Sequence, residues 1–264
     1  MTLNSSTLIP LKAYVAAQWG KGGNANLWVV DLSQLSGGKA HEENSDPISA
    51  TNIVDIGFTN WGHTINAWNG LLFLHSADSG GNKKMGCKIL DLKNNPMQPS
   101  VLGTYEGGDC HDSFAQTIFY DNGEERDIMF VADGLVRRWR IVDITGIRNN
   151  GFIFEKIGET PIQPKAYAHH NVVTNDGMTL FVFDEFGDFD MAAYNISNLA
   201  NPTLLSKFQW SGEANENSSV HNGFILGHYL MVAYYKAGLR VFDISEIDNI
   251  IEVGMYGEFK MKKN

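Results

Sequence analysis

The sequence is short of several things, and each shortage removes a class of function. It has only two cysteines, Cys87 and Cys110, among 264 residues, and two do not fix a redox compartment. No stretch approaches the roughly 18 apolar residues of a membrane-spanning helix, so no membrane span is expected. Met1 to Pro10 has neither a basic start nor an apolar run, so no signal peptide is expected there. Basic residues are outnumbered, 20 against 30 acidic, for a formal net charge of −10 and a pI near 5.2. An acidic surface repels phosphate backbones, so nucleic acid is not an expected partner. Helical periodicity is nearly absent. There is no phosphate loop, nucleophile elbow, paired-cysteine zinc site or metalloprotease helix, which argues against the common hydrolase and nucleotide-enzyme classes.

What is present is a globular composition, 43% hydrophobic and 19% charged, organised as a repeat. A six-residue pattern recurs five times: Leu27 to Leu32, Cys87 to Leu92, Trp139 to Ile144, Met191 to Ile196 and Leu239 to Ile244. Its fifth residue is Asp31, Asp91, Asp143, Asn195 or Asp243, at intervals of 60, 52, 52 and 48 residues. An apolar run ending in Asp or Asn reads as a buried strand followed by a turn. A second element precedes it in each unit, opened by His63-Thr64, His111-Asp112, His170-Asn171 and His221-Asn222, with Asn4-Ser5 in the first copy. A third closes each unit, as in Val101 to Tyr105 or Leu204 to Trp210.

Each unit therefore reads as four strands, here termed A (His-led), B, C (Asp-ended) and D. Four strands in about 50 residues is the size of a propeller blade. The fold expected is all-β: a five-bladed β-propeller of four-stranded antiparallel blades. It would be a single domain over 1–264, with blades near 4–58, 63–106, 111–161, 170–210 and 221–258. Strand A of the first blade, Asn4 to Leu11, is the weakest because Pro10 lies in it. A solenoid is the alternative, but the repeat is long for one and no terminal cap is visible.

The order of motifs from His63 onward resembles the choice-of-anchor B family of surface proteins, and the Asp-ended strand resembles the LVIVD repeat. The pieces that carry the likeness are Cys110-His-Asp112, Arg126 to Phe130, Ile141-Val-Asp143, Ala168 to Asn171, Phe183-Asp-Glu185, His221-Asn222 and Gly238 to Ser245. The resemblance implies a β-propeller, export, and attachment to a cell surface by a C-terminal anchor. It implies no established activity. The sequence ends at Asn264 without an anchor segment, so an extracellular location is expected from the resemblance alone. The family often has cysteines near both cysteine positions. A Cys87–Cys110 disulfide and two free buried thiols both remain open.

In a propeller the start of strand A and the B–C hairpin crowd one face near the axis. That face would carry His63, His111, His170 and His221. It would also carry Asp78, Asp112, Asp133, Asp184, Glu185 and Lys236, which would orient the imidazoles or touch a ligand. Converging imidazoles suit a transition metal, zinc or iron rather than oxygen-preferring calcium, and carboxylates would orient their second ring nitrogens. The structural alternative is a His–Asp network, with His111 on Asp133 and His170 on Asp184, as buried polar groups require. Adjacent strand residues face opposite ways, and the repeat spacing favours His170 over His169 as the inward-facing one. His75 and His228 fall outside the pattern.

Three functions follow. The first is an exported or cell-surface binding module with a His-lined funnel, for a small-molecule, glycan or protein ligand. The second is a metal-dependent enzyme using the histidines. The third is a structural component of a larger assembly. Oligomeric state is not readable.

Overall fold

The structure is a computed structural model. It describes residues 12–16, 25–32, 52–58, 61–76, 86–120, 122–149, 151, 154–163, 165–186, 190–210 and 219–257. The described residues form nineteen strands and a few short 3-10 turns. None of their helices is long and apolar enough to cross a membrane.

The strands make five antiparallel sheets, each from contiguous chain. The first has three described strands, β1 (Lys12–Ala16), β2 (Ala25–Asp31) and β3 (Asn52–Phe58). The strand expected over Asn4 to Leu11 lies outside the described residues. The second sheet is β4 (Trp61–Trp68), β5 (Leu71–Ser76), β6 (Cys87–Asp91) and β7 (Ser100–Tyr105). The third is β8 (Asp112–Phe119), β9 (Glu125–Ala132), β10 (Trp139–Asp143) and β11 (Glu155–Glu159). The fourth is β12 (Ala168–Val173), β13 (Thr179–Asp184), β14 (Met191–Asn195) and β15 (Thr203–Phe208). The fifth is β16 (Gly223–Leu226), β17 (Tyr229–Tyr234), β18 (Gly238–Asp243) and β19 (Ile251–Tyr256).

The recurring Asp or Asn has a local cause. Its side-chain oxygen accepts the backbone N–H two residues on, from Asp91 to Lys93 at 2.7 Å and from Asp143 to Thr145 at 2.8 Å. The same bond runs from Asn195 to Ser197 and from Asp243 to Ser245, each at 2.9 Å. This side-chain mimic of a backbone turn stops strand C and starts the reversal into strand D. A bulge follows in the C–D pairing, between Ile141 and Val142, Ala193 and Tyr194, and Val241 and Phe242. It increases the local twist of each sheet at the same place.

The chain divides into two compact units, Met1–Ser79 with Lys88–Thr104, and Gly80–Cys87 with Tyr105–Asn264. The second unit holds the last three sheets. Its two cores lie between sheets. Ile128, Phe130, Trp139 and Ile141 of the third sheet pack on Leu180, Val182, Ala192 and Tyr194 of the fourth. Phe181, Phe183, Met191 and Ala193, on the other face of the fourth sheet, pack on Leu230, Val232, Tyr234 and Phe242 of the fifth. Strand β13 is therefore apolar on both faces and wholly buried, which is why it reads as a continuous apolar run.

Candidate metal centre

Pairing of strand A with strand B fixes which residues are equivalent in the second unit. Asp112 stands opposite Ala132 and His170 opposite Phe183. Ala233 donates its N–H to the Asn222 carbonyl at 2.9 Å. These partners stand opposite Trp139, Met191 and Leu239, the first residues of the three strand-C motifs. The equivalent positions are thus Asp112, His170 and Asn222, and the residues just before them are His111, His169 and His221.

This corrects the expected ring at one position. His169, not His170, is the counterpart of His111 and His221. The cause is the length of the A–B turn: Thr174 closes on Thr179 across four residues in the fourth sheet, whereas Leu226 pairs with Tyr229 across two in the fifth. Counting back from strand B therefore lands on His170, while the cross-strand pairing selects His169.

The three equivalent imidazoles form a row. Ring centroids of His111 and His169 are 4.5 Å apart, and those of His169 and His221 are 4.0 Å apart. At one end the His111 Nδ1 is 2.9 Å from the Tyr167 hydroxyl. At the other the Tyr235 ring meets His221 edge-on, with centroids 5.1 Å apart. Tyr235 donates its hydroxyl to Glu185 Oε1. Glu185 Oε2 lies 3.7 Å from His169 Nε2. His169, Glu185 and His221 each present one donor atom within 4.8 Å of the others.

The electrostatics suit a cation. His169 is pushed down to about 2, first by burial and then by the neighbouring His111, His221 and His170, against the pull of Asp112. At neutral pH it is therefore an uncharged imidazole. Its Nδ1 is buried without a hydrogen-bond partner, which is unusual for a buried polar atom. Burial raises Glu185 above the usual carboxylate range, against the Tyr235 hydrogen bond. The 3.7 Å gap to His169 is too long for a hydrogen bond. Two ligands at zinc distances and a tetrahedral angle stand about 3.4 Å apart. Imidazoles with one carboxylate fit zinc or iron and not calcium.

The following row is a closed knot. His170 Nδ1 is 2.7 Å from Asp112 Oδ2, and His170 Nε2 is 3.0 Å from the Gly223 carbonyl. A carbonyl only accepts, so Nε2 carries a proton. Asn222 Nδ2 is 3.4 Å from the same Asp112 oxygen, and Asp112 Oδ1 accepts the Ser113 N–H at 2.7 Å. Both His170 nitrogens are thus engaged in tying three innermost strands together.

The strand-B carboxylates hold backbone rather than imidazole in these contacts. Asp133 accepts the Cys110 N–H at 3.1 Å and pairs with Arg140 at 2.6 Å. Asp184 accepts the Tyr167 N–H at 2.8 Å. In the fifth sheet, where the sequence offers no Asp, the Tyr234 hydroxyl accepts the Trp210 N–H at 3.1 Å. Lys236 is exposed on the 3-10 turn Tyr235–Ala237. His63 is half-buried in β4 of the first unit. Asp78 and Asn4 lie outside the described residues. His75 is buried, with its Nδ1 2.8 Å from Thr64 Oγ1, and His228 stacks on Tyr229. Cys87 and Cys110 are free buried thiols. Sequence reasoning missed His169 and the part played by Tyr235. The His169-His170 doublet was the available signal for the first, and none marked the second.

No protein-family model matches the chain, and no curated protein matches it. Solved structures do. A candidate 6-phosphogluconolactonase of Bacteroides uniformis is 12% identical with a TM-score of 0.63, over 95% of this chain and 69% of that one. A protein from Lactobacillus plantarum gives 10% identity and 0.61, over 97% and 70%. The periplasmic gluconolactonase of Pseudomonas aeruginosa gives 11% and 0.60, over 93% and 67%. The fold is a five-bladed β-propeller. At such identities the likeness extends to the fold alone, and each A–B–C–D sheet is one blade.

Proposed function

We propose that the chain is a metal-dependent enzyme whose His111, His169, His221 and Glu185 hold a zinc or iron ion. The observation that carries this reading is the row of imidazoles from three successive blades, buried at His111 and His169 and half-buried at His221, with a carboxylate beside it. A bound ion would activate a water or polarise a carbonyl. Tyr167 fixes the His111 ring through its Nδ1, and the His170–Asp112 knot fixes the strands that carry the row. The gluconolactonase and candidate 6-phosphogluconolactonase among the structural neighbours make a cyclic sugar ester the substrate class to test first.

The test is elemental analysis of the purified chain, before and after zinc or iron(II) reconstitution, with hydrolysis of glucono-δ-lactone followed in parallel. We expect one ion per chain, and turnover that a chelator abolishes. Absence of any transition metal after reconstitution overturns the metal reading. Metal without turnover removes this lactone and leaves the site.

The choice-of-anchor B resemblance supports a second reading, an exported surface module binding a ligand at the same face. Its motif set centres on Cys110-His-Asp112 and Ala168 to Asn171. In that case H169Q and H221Q leave ligand capture intact, whereas in the enzyme reading they abolish turnover.

A further inference from the structure

We propose that Tyr235 is a positioning residue, which grips one oxygen of Glu185 so that the other faces His169 and His221. This rests on the metal reading above. The Glu185 backbone is held on both sides. Its N–H donates to the Tyr167 carbonyl at 3.2 Å, and its carbonyl accepts the Ser219 hydroxyl. The carboxylate would still be free to turn about its own side-chain bonds. Tyr235 removes that freedom by donating to Oε1, leaving Oε2 as the oxygen that faces His169. The same tyrosine ring packs edge-on against His221, so one side chain aligns two ligands.

The backbone at Tyr235 points the same way. Its φ is +32°, in the left-handed region, which costs a non-glycine residue conformational energy. The corresponding B–C position of the third blade is Gly134, at φ +47°. Glycine takes that conformation without strain, and a Cβ on Gly134 would also meet Asp109 Oδ2. Tyr235, a residue 52% exposed, instead keeps a side chain whose hydroxyl is committed to Glu185. Burying an apolar ring does not explain it.

The test uses the full chain and two variants, Tyr235→Phe and Glu185→Gln, singly and together. Zinc affinity is measured by competition, cobalt(II) absorption reports ligand geometry, and metal-free melting controls for folding. Phe keeps the ring against His221 and removes only the hydroxyl. We expect Y235F to bind zinc 10–100-fold more weakly, with an altered cobalt spectrum and an unchanged metal-free melting temperature. We expect E185Q to lose at least as much, and the double variant to be no weaker than E185Q. Wild-type affinity and spectrum in Y235F overturn the proposal, and so do losses that add in the double variant. Should Y235F melt lower, non-additivity with E185Q still decides. If the wild-type chain itself takes up neither zinc nor cobalt, the metal reading fails and the role of Tyr235 falls with it, an outcome distinct from those of the variants.

Discussion

His169 Nε2 and Glu185 Oε2 face each other across 3.7 Å, beyond a hydrogen bond and near the spacing of two atoms bound to one ion. His170, one residue along, spends both its nitrogens on Asp112 and Gly223. The two neighbours in sequence therefore have separable roles, and substitution should separate them.

His169→Gln should abolish metal uptake with little loss of stability in the metal-free protein. His170→Gln should behave in the opposite way. It removes the His170 hydrogen bond to the buried Asp112 carboxylate, which costs about 1.5–3 kcal/mol, while zinc affinity stays within a few-fold. Denaturant unfolding beside zinc competition reads both. Equal effects of the two substitutions on affinity would place both histidines at the ion.

The metal-free protein should lose stability on acidification. His169 in the folded state is pushed down to about 2, chiefly by burial, whereas an unfolded histidine titrates near 6.5. Between these values only the unfolded chain takes up this proton. The stability from this group is thus whole above about pH 6.5 and is lost as pH falls. The slope is about 1.4 kcal/mol per pH unit for one proton. Urea unfolding from pH 7 to pH 5 should show this slope, and H169Q should lack that component.

Tyr234→Phe should destabilise the fifth blade without touching the site. It removes the hydroxyl that accepts the Trp210 N–H and bonds the Asp190 carboxylate, and losing a hydrogen bond to a charged group costs about 1.5–3 kcal/mol. Zinc affinity should hold. A large loss of affinity would mean that this turn, and not only the Tyr235 hydroxyl, sets the Glu185 geometry.

Much of this was legible in the chain. The apolar run closed by Asp91, Asp143, Asn195 or Asp243 gives the strand and its turn, because the Asx bond is local and needs no tertiary partner. The His-led openings identify the end of each blade where polar groups gather. The acidic composition bears on partners and not on fold.

What the tertiary structure decided lies one residue away. The length of an A–B turn is invisible in a period-2 pattern, because residues added between two strands change the alternation within neither. Only the cross-strand pairing shows that His169 and not His170 belongs to the row. The partners of Asp133, Asp184 and Glu185 are likewise non-local, set by which loops the stacked blades bring together. From the sequence, a ring of histidines and a ring of structural His–Asp pairs look alike. They differ in three dimensions, where one row of imidazoles faces a carboxylate across a gap and the next row is tied into backbone.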